Sequence, residues 1–237
     1  MNYVFDIDGT LTPSRLPIDK EFEKFFLEWM EGKNVYFVTG SDKDKTVEQI
    51  GEKIWKKATR CYQSCGNAVY ENGKLIRQLD FKLEDGLKSM LTILQFQSDW
   101  TEIYENHIEE RIGLINFSVI GRTCPQDARE RYHKWDTESG ERKTYCDIIN
   151  SNFNSIEATI GGQISIDIYP KGKNKAQILD DLEDVTFFGD KCNVGGNDFP
   201  IVERLHVDRK TGKSNRRYVV HDVPNWQKTF EILKGIK

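Results

Sequence analysis

A chain that opens Tyr3-Val4-Phe5-Asp6-Ile7-Asp8-Gly9-Thr10 has few ways to begin folding. The short apolar run of β-branched and aromatic residues reads as a buried strand, and it stops at two carboxylates bracketing one residue. Two charges at the end of a buried strand are costly unless something positive sits beside them. In an open parallel sheet, the carboxyl ends of the strands form the crevice in which ligands bind. The opening therefore reads as a strand that delivers Asp6 and Asp8 to a divalent cation and an anionic substrate. A simple polar turn of Asp and Gly is the plainer alternative, against which the rest of the chain weighs.

After a loop over 12–17, Asp19 caps a predicted helix whose apolar face is Phe22, Phe25, Phe26, Trp29 and Met30. A second buried strand over 35–38 closes on Thr39-Gly40-Ser41-Asp42. Strand, helix and strand in this span make a right-handed parallel crossover, so both strand ends face one crevice and Thr39 and Ser41 join the two aspartates. A helix over 42–57 turns Val47, Ile50 and Ile54 inward, and two short strands flank the hairpin signal Glu71-Asn72-Gly73.

From Phe81 the texture changes. A helix to about Trp100 precedes a strand through Ile112, Leu114, Asn116, Phe117, Val119 and Ile120, then helices over 125–135 and 142–153. Strands over 156–160 and 164–168 face each other across Gly161-Gly162. After Pro170 the first pattern returns, with a helix over 174–182, a buried strand over 185–188 ending in Gly189-Asp190, a run over 217–220 and a helix over 224–233. The expected fold is α/β: a Rossmann-like core with a parallel sheet flanked by helices, built from 1–80 and 170–237. An α+β cap inserted at 81–169 is expected to cover the crevice.

A formal net charge of -4 leaves no basic field for nucleic acid or an acidic membrane. The basic run over 209–217 lacks interleaved aromatics and reads as a solvated loop. Five cysteines without paired metal-ligand spacing read as reduced thiols, Cys61, Cys65 and Cys192 among them. With no leader pattern and no run of about 18 apolar residues, the expectation is a soluble cytoplasmic protein.

Asp6 and Asp8 at one strand end, Thr39 after the next, Lys175 opening a helix, and Gly189-Asp190 with Gly195-Gly196-Asn197-Asp198 after a third form an ordered set. The set resembles the four motifs of the haloacid dehalogenase superfamily. That resemblance implies Asp6 as a nucleophile that becomes aspartyl phosphate and Asp8 as general acid and base. It implies Mg2+ held by Asp6, the backbone carbonyl of Asp8 and Asp190, with Asn197 and Asp198 in or behind that shell. Thr39 and Lys175 would hold the transferring phosphoryl oxygens. The physical logic agrees, since a carboxylate attacks a phosphoryl group only where cations cancel their repulsion and a proton donor serves the leaving oxygen.

The insert is more specific. Arg111-Ile112-Gly113-Leu114-Ile115-Asn116-Phe117-Ser118-Val119-Ile120-Gly121-Arg122, Cys124-Pro125-Gln126 before Arg129, and Gly161-Gly162-Gln163-Ile164-Ser165-Ile166-Asp167 resemble the eukaryotic phosphomannomutase family. The family would use Arg111, Arg122 and Arg129 to clamp the phosphate that is not being transferred, with Ser165 and Asp167 at that phosphate or the sugar hydroxyls. Ser41 is expected beside the substrate, and Arg15, which matches a family arginine near the junction of cap and core, is expected to contribute to substrate binding. Arginine suits a clamp because its planar fork meets phosphate bidentately. The resemblance further implies a hexose phosphate substrate, a hexose 1,6-bisphosphate activator, a homodimer through the cap, and a place in making activated mannose (GDP-mannose) for glycan synthesis. Thr39 where the family commonly has Gly, and Ser64-Cys65-Gly66-Asn67 in place of Glu-Asn-Gly, leave a second reading, a sugar-phosphate phosphatase using the same Asp6 and Asp8.

Overall fold

The structure, a computed structural model, describes residues 1–236. The chain divides into two compact units, one of Met1–Gln78 with Asn174 onward and one of Leu79–Lys173.

Strand β1 (Asn2–Phe5) leads into helix α1 (Lys20–Trp29), whose first turn is tied down by the Asp19 carboxylate accepting from the Glu21 and Phe22 N–H groups. Phe22, Phe26, Trp29 and Met30 are buried, as the periodicity predicts. Strand β2 (Asn34–Val38) follows, then helix α2 (Lys43–Lys57), capped by Asp42 and burying Ile50, Ile54 and Trp55. Strand β3 (Arg60–Gln63) had no apolar run to announce it. Strands β4 (Ala68–Glu71) and β5 (Lys74–Gln78) form the hairpin around Asn72 and Gly73, both at positive φ.

The second unit runs from helix α3 (Asp85–Phe96) through strands β6 (Ile108–Arg111) and β7 (Leu114–Phe117) to helices α4 (Gln126–Ser139) and α5 (Glu141–Asn152). Strands β8 (Ile156–Ile160) and β9 (Ile166–Pro170) complete an antiparallel sheet in the order β6-β7-β9-β8. Ile115, Phe117, Ile166, Ile168 and Ala158 face a core shared with Leu87, Leu91, Tyr132 and Ile149. The alternation of a strand turns the intervening residues the other way, and the register aligns Glu109, Asn116, Asp167 and Thr159 across all four strands. Val119 and Ile120 were expected in the strand; they are buried but lie in the loop after β7. Arg142, almost wholly buried, pairs with Asp136 at 2.8 Å and donates to the carbonyls of Gly162 and Ser165, fixing the loop between β8 and β9.

The chain returns to the first unit in a 3₁₀ turn over Lys175–Asp180, shorter than the helix expected there. Strand β10 (Val185–Gly189), helix α6 (Phe199–Lys210), strand β11 (Tyr218–Asp222) and helix α7 (Trp226–Lys234) follow. The pattern did not announce α6, and it absorbs Arg209 and Lys210, so the start of the basic run is a helix end rather than a loop. The sheet order is β11-β10-β1-β2-β3-β4-β5. It is parallel from β11 to β3 and closes with an antiparallel edge, so the sheet is mixed rather than purely parallel. Phe5 packs with α1 and Phe188 on one face, while Val4 packs with Ile201 and Leu205 of α6 on the other. Both faces of β1 are therefore covered, which is why its sequence reads as continuously apolar. Among the described residues no helix is long and apolar enough to cross a membrane.

Candidate active site

The chain leaves β1 toward β2 on one side and returns on β10 on the other, so the carboxyl end of β1 lies at the point where strand order reverses. That is where an open α/β sheet has its crevice. The Asp6 N–H donates to the Phe188 carbonyl at 2.9 Å, which holds the residue beside β10 as it leaves the strand. Its carboxylate meets the Lys175 ammonium at 2.6 Å, and the same ammonium reaches Asp198 at 2.7 Å. Lys175 is fully buried, Asp198 likewise, and Asp6 nearly so. Asp190, in the turn after β10, brings a third carboxylate, and oxygens of Asp6, Asp190 and Asp198 lie within 4.8 Å of one another. Gly9, at φ +86°, makes room for this: a Cβ there would run into the Asp190 carboxylate.

The electrostatics follow from crowding three carboxylates out of water. Burial, reinforced by Asp198 and Asp190, pushes the Asp6 carboxyl well above the ordinary range against the pull of Lys175. Burial also raises Asp190 to about 7, with Asp198 adding to the rise. For Lys175, burial disfavours the ammonium, but Asp198 and Asp6 outweigh it and the group stays charged. Asn197, next in chain to Asp198, has a buried side-chain oxygen with no hydrogen-bond partner. An all-oxygen donor set with surplus negative charge and an orphaned carbonyl oxygen suits a hard divalent cation.

Asp8 stands outside the three-carboxylate cluster. Its Oδ1 accepts from the Arg15 N–H at 2.7 Å and from Gln49 Nε2 at 3.0 Å. Arg15 has a positive φ of 65°, so a strained backbone aims that N–H at Asp8, while the residue also lines a small pocket with Lys45, Glu48 and Gln49. The sequence offered Arg15 as a substrate contact; in this unit its observed bond is a backbone one. Gln49 was not foreseen, although its place on the inward stripe of α2 with Thr46 and Ile50 was a readable signal. Thr39 and Ser41 are buried after β2, where the Thr39 hydroxyl accepts from the Ser41 N–H at 3.0 Å. Below them, Ser64 and Cys65 adopt positive φ, and Gln177 donates to the Cys65 carbonyl and to Asn67, tying this turn to the segment that carries Lys175.

In the second unit, Arg111 and Arg122 converge on one oxygen of Glu109 at 2.5 and 2.8 Å. Arg122 also donates to Asn116, and Asn116 donates to Asp167 at 2.5 Å. Arg129 donates to the carbonyls of Arg122 and Cys124, so it braces the loop bearing Arg122. Arg131, by contrast, is half exposed and bound to Glu102 and Asp127. Ser165 is buried just before β9, close against Gly161. Glu109 and Asn116 were missed from sequence.

A mixed, mostly parallel sheet with paired acidic turns at its centre, interrupted by a separate antiparallel cap, defines a haloacid dehalogenase-like fold. Solved structures agree: a haloacid dehalogenase-like hydrolase from Bacteroides thetaiotaomicron superposes with a TM-score of 0.60 at 12% identity, covering 99% of this chain and 98% of that one. The C-terminal domain of a Candida albicans trehalose-6-phosphate phosphatase gives a TM-score of 0.63 at 14% identity, covering 99% and 92%. At the level of sequence, residues 22–234 match the model of the family described as eukaryotic phosphomannomutase. A phosphomannomutase of Triticum aestivum is 34% identical over 98% of this chain and 94% of its own length. Phosphomannomutase 1 of Dictyostelium discoideum is 35% identical over 87% and 88%. The chain belongs to the eukaryotic phosphomannomutase family.

Proposed function

We propose that this chain is a phosphomannomutase, interconverting mannose 6-phosphate and mannose 1-phosphate through a phosphoryl group carried on Asp6. The observation that carries the reading is the buried Lys175 ammonium shared between Asp6 and Asp198 at the carboxyl end of β1, in a chain of this family. An oxygen of Asp6 attacks phosphorus in line, the bond from phosphorus to the sugar oxygen breaks, and Asp8 supplies the proton that the leaving oxygen takes up. A hexose 1,6-bisphosphate primes Asp6 by this step. In turnover the free hydroxyl of the sugar phosphate gives its proton to Asp8 and attacks the aspartyl phosphate, and the bond from phosphorus to Asp6 breaks. The first step then runs on the other phosphate of the resulting bisphosphate, which leaves Asp6 phosphorylated again. Lys175, with the Thr39 hydroxyl and Ser41, compensates charge on the transferring group. Gln49 and the Arg15 N–H hold Asp8 by one oxygen, which leaves the second to carry the proton. Arg111, Arg122 and Arg129, with Ser165 and Asp167, form the clamp that recognises whichever phosphate is not reacting.

Mg2+ would be held by Asp6, the Asp8 carbonyl and Asp190, with Asn197 and Asp198 beside it, and supplies Lewis-acid neutralisation of the phosphoryl oxygens. Its binding should depend on pH in a defined direction. Asp190 is held near 7 in the folded protein against an unfolded value of about 4. The native state therefore keeps a proton that the unfolded chain has released, and in the absence of cation stability falls as pH rises through that interval. A divalent ion replaces the proton, so the rise in melting temperature produced by Mg2+ should be larger at pH 8 than at pH 5.5. Melting curves with Mg2+ and with EDTA test this; equal shifts at both pH values would count against the carboxylate cluster as the cation site.

Phosphorus NMR with Mg2+, mannose 1-phosphate and a trace of glucose 1,6-bisphosphate tests the activity. Mannose 6-phosphate should accumulate with little inorganic phosphate. Steady release of inorganic phosphate without isomerisation would make the protein a sugar-phosphate phosphatase instead. Five cysteines, free and buried, fit a reducing cytoplasmic setting. We also propose a homodimer through the cap, since Ile93 and Phe96 on α3 are exposed apolar side chains. Sedimentation velocity should give a dimer that Phe96→Glu converts to monomer; a wild-type monomer at micromolar concentration removes the idea.

A further inference from the structure

Two guanidinium groups on one face of the cap sheet share a single carboxylate. Arg111 donates to Glu109 Oε2 from Nε at 3.0 Å and from a terminal nitrogen at 2.5 Å, and Arg122 Nε reaches the same oxygen at 2.8 Å. Both arginine side chains are deeply buried, at 5% and 9% exposure, while Glu109 is 30% exposed. The arrangement has a backbone cause. Glu109 and Arg111 are two residues apart on β6 and so share a face, and the register sets Glu109 directly opposite Asn116, which receives a hydrogen bond from Arg122. Arg122 arrives from the loop after β7, and that loop is itself braced by Arg129 donating to the Arg122 carbonyl at 2.6 Å.

We infer that Glu109 is a positioning residue for the phosphate clamp, holding Arg111 and Arg122 side by side in the orientation that receives the distal phosphate of the substrate. The inference rests on the proposed clamp and adds to it a carboxylate where anion recognition alone would call for none. Two buried like charges need a counter-ion whenever no phosphate is bound, and without one they would turn toward water and away from each other. Glu109 meets that need from the protein side. Because it engages Nε of both arginines, it fixes the planes of their forks as well as their charge.

Charge and positioning predict opposite signs, which makes the idea testable. Deleting a carboxylate beside a phosphate site should, on charge alone, tighten phosphate binding. If Glu109 positions the clamp, deletion should weaken it.

Calorimetric titration of mannose 1-phosphate into the full chain, in an Asp6→Asn background that prevents turnover, reads this directly. Glu109→Ala should raise Kd about tenfold, the scale on which loss of a group orienting a binding residue is felt. Glu109→Gln, which keeps an acceptor and cannot fail for want of volume, should lie between Ala and the parent. In the otherwise active enzyme, Glu109→Gln should raise KM with little change in kcat. An unchanged or lower Kd for both variants overturns the positioning role. Arg111→Gln separates the two layers of the argument: if it weakens binding while the Glu109 variants do not, the clamp stands and the inference falls. If Arg111→Gln also leaves binding unchanged, the clamp falls and the inference with it.

Discussion

Asp6→Asn should lower kcat/KM for mannose 1-phosphate by at least about 10⁴-fold, the scale seen when a covalent nucleophile is removed, while leaving the protein folded. The amide has nearly the same shape, and its oxygen can still accept from Lys175 Nζ, which now lies 2.6 Å from the carboxylate. What it lacks is nucleophilicity and charge. Asp6 is buried at 4% exposure at the end of a central strand, so a change of shape would be felt as instability, whereas an isosteric change should be felt only in chemistry. The check is turnover together with acid-quench trapping of phosphoenzyme from a radiolabelled bisphosphate: the parent should label and the variant should not. Residual turnover above about one per cent of the parent, a loss far smaller than removal of a nucleophile produces, would mean that another group carries the phosphoryl.

The centre of this site was legible because it sits where the strongest sequence signals end. β1, β2 and β10 are covered on both faces, so they are mostly apolar, and their ends are marked by Asp6, Thr39 and Asp190. The parts that were missed are those where the two faces of a strand or helix do different jobs. β3 reads Arg-Cys-Tyr-Gln and β6 reads Ile-Glu-Glu-Arg, and neither has the composition of a strand. In β6 the polar residues are there because Glu109 and Arg111 lie on the sheet face opposite the apolar core, where Glu109 is in register with Asn116 and Asp167. The same cause hid Glu109, which looks from sequence like one more surface acid. Helix α6 was missed for a different reason: its polar and apolar residues are mixed around the axis, although Pro200 in its first turn was a start signal that could have been used. Gln49 and Asn116 act through hydrogen bonds to Asp8 and Asp167 that join distant stretches of chain; helical spacing could show that Gln49 turns inward, but not which partner it meets.

Lys175→Met should destabilise the protein by about 3–5 kcal/mol near neutral pH, because it strands two buried carboxylates. Lys175 has no exposed surface and is held to Asp6 and Asp198 at 2.6 and 2.7 Å, so neither partner can turn to water for compensation. Methionine fills a similar volume, which keeps a cavity from dominating the result. The pH dependence identifies the cause. Asp6 already stands well above the ordinary carboxylate range with the ammonium present. Removing the ammonium drives it further up, so the folded variant keeps protons that the unfolded chain gives away above about pH 4, and its stability must fall as pH rises. The loss relative to the parent should therefore be small at pH 5 and large at pH 8 in urea unfolding without metal. A loss independent of pH would assign the role of Lys175 to packing. No loss at pH 8 would mean that the two carboxylates are not charged together in the folded protein. That second result would also undercut Asp6 as the nucleophile, since the proposed reaction needs it ionised beside Lys175.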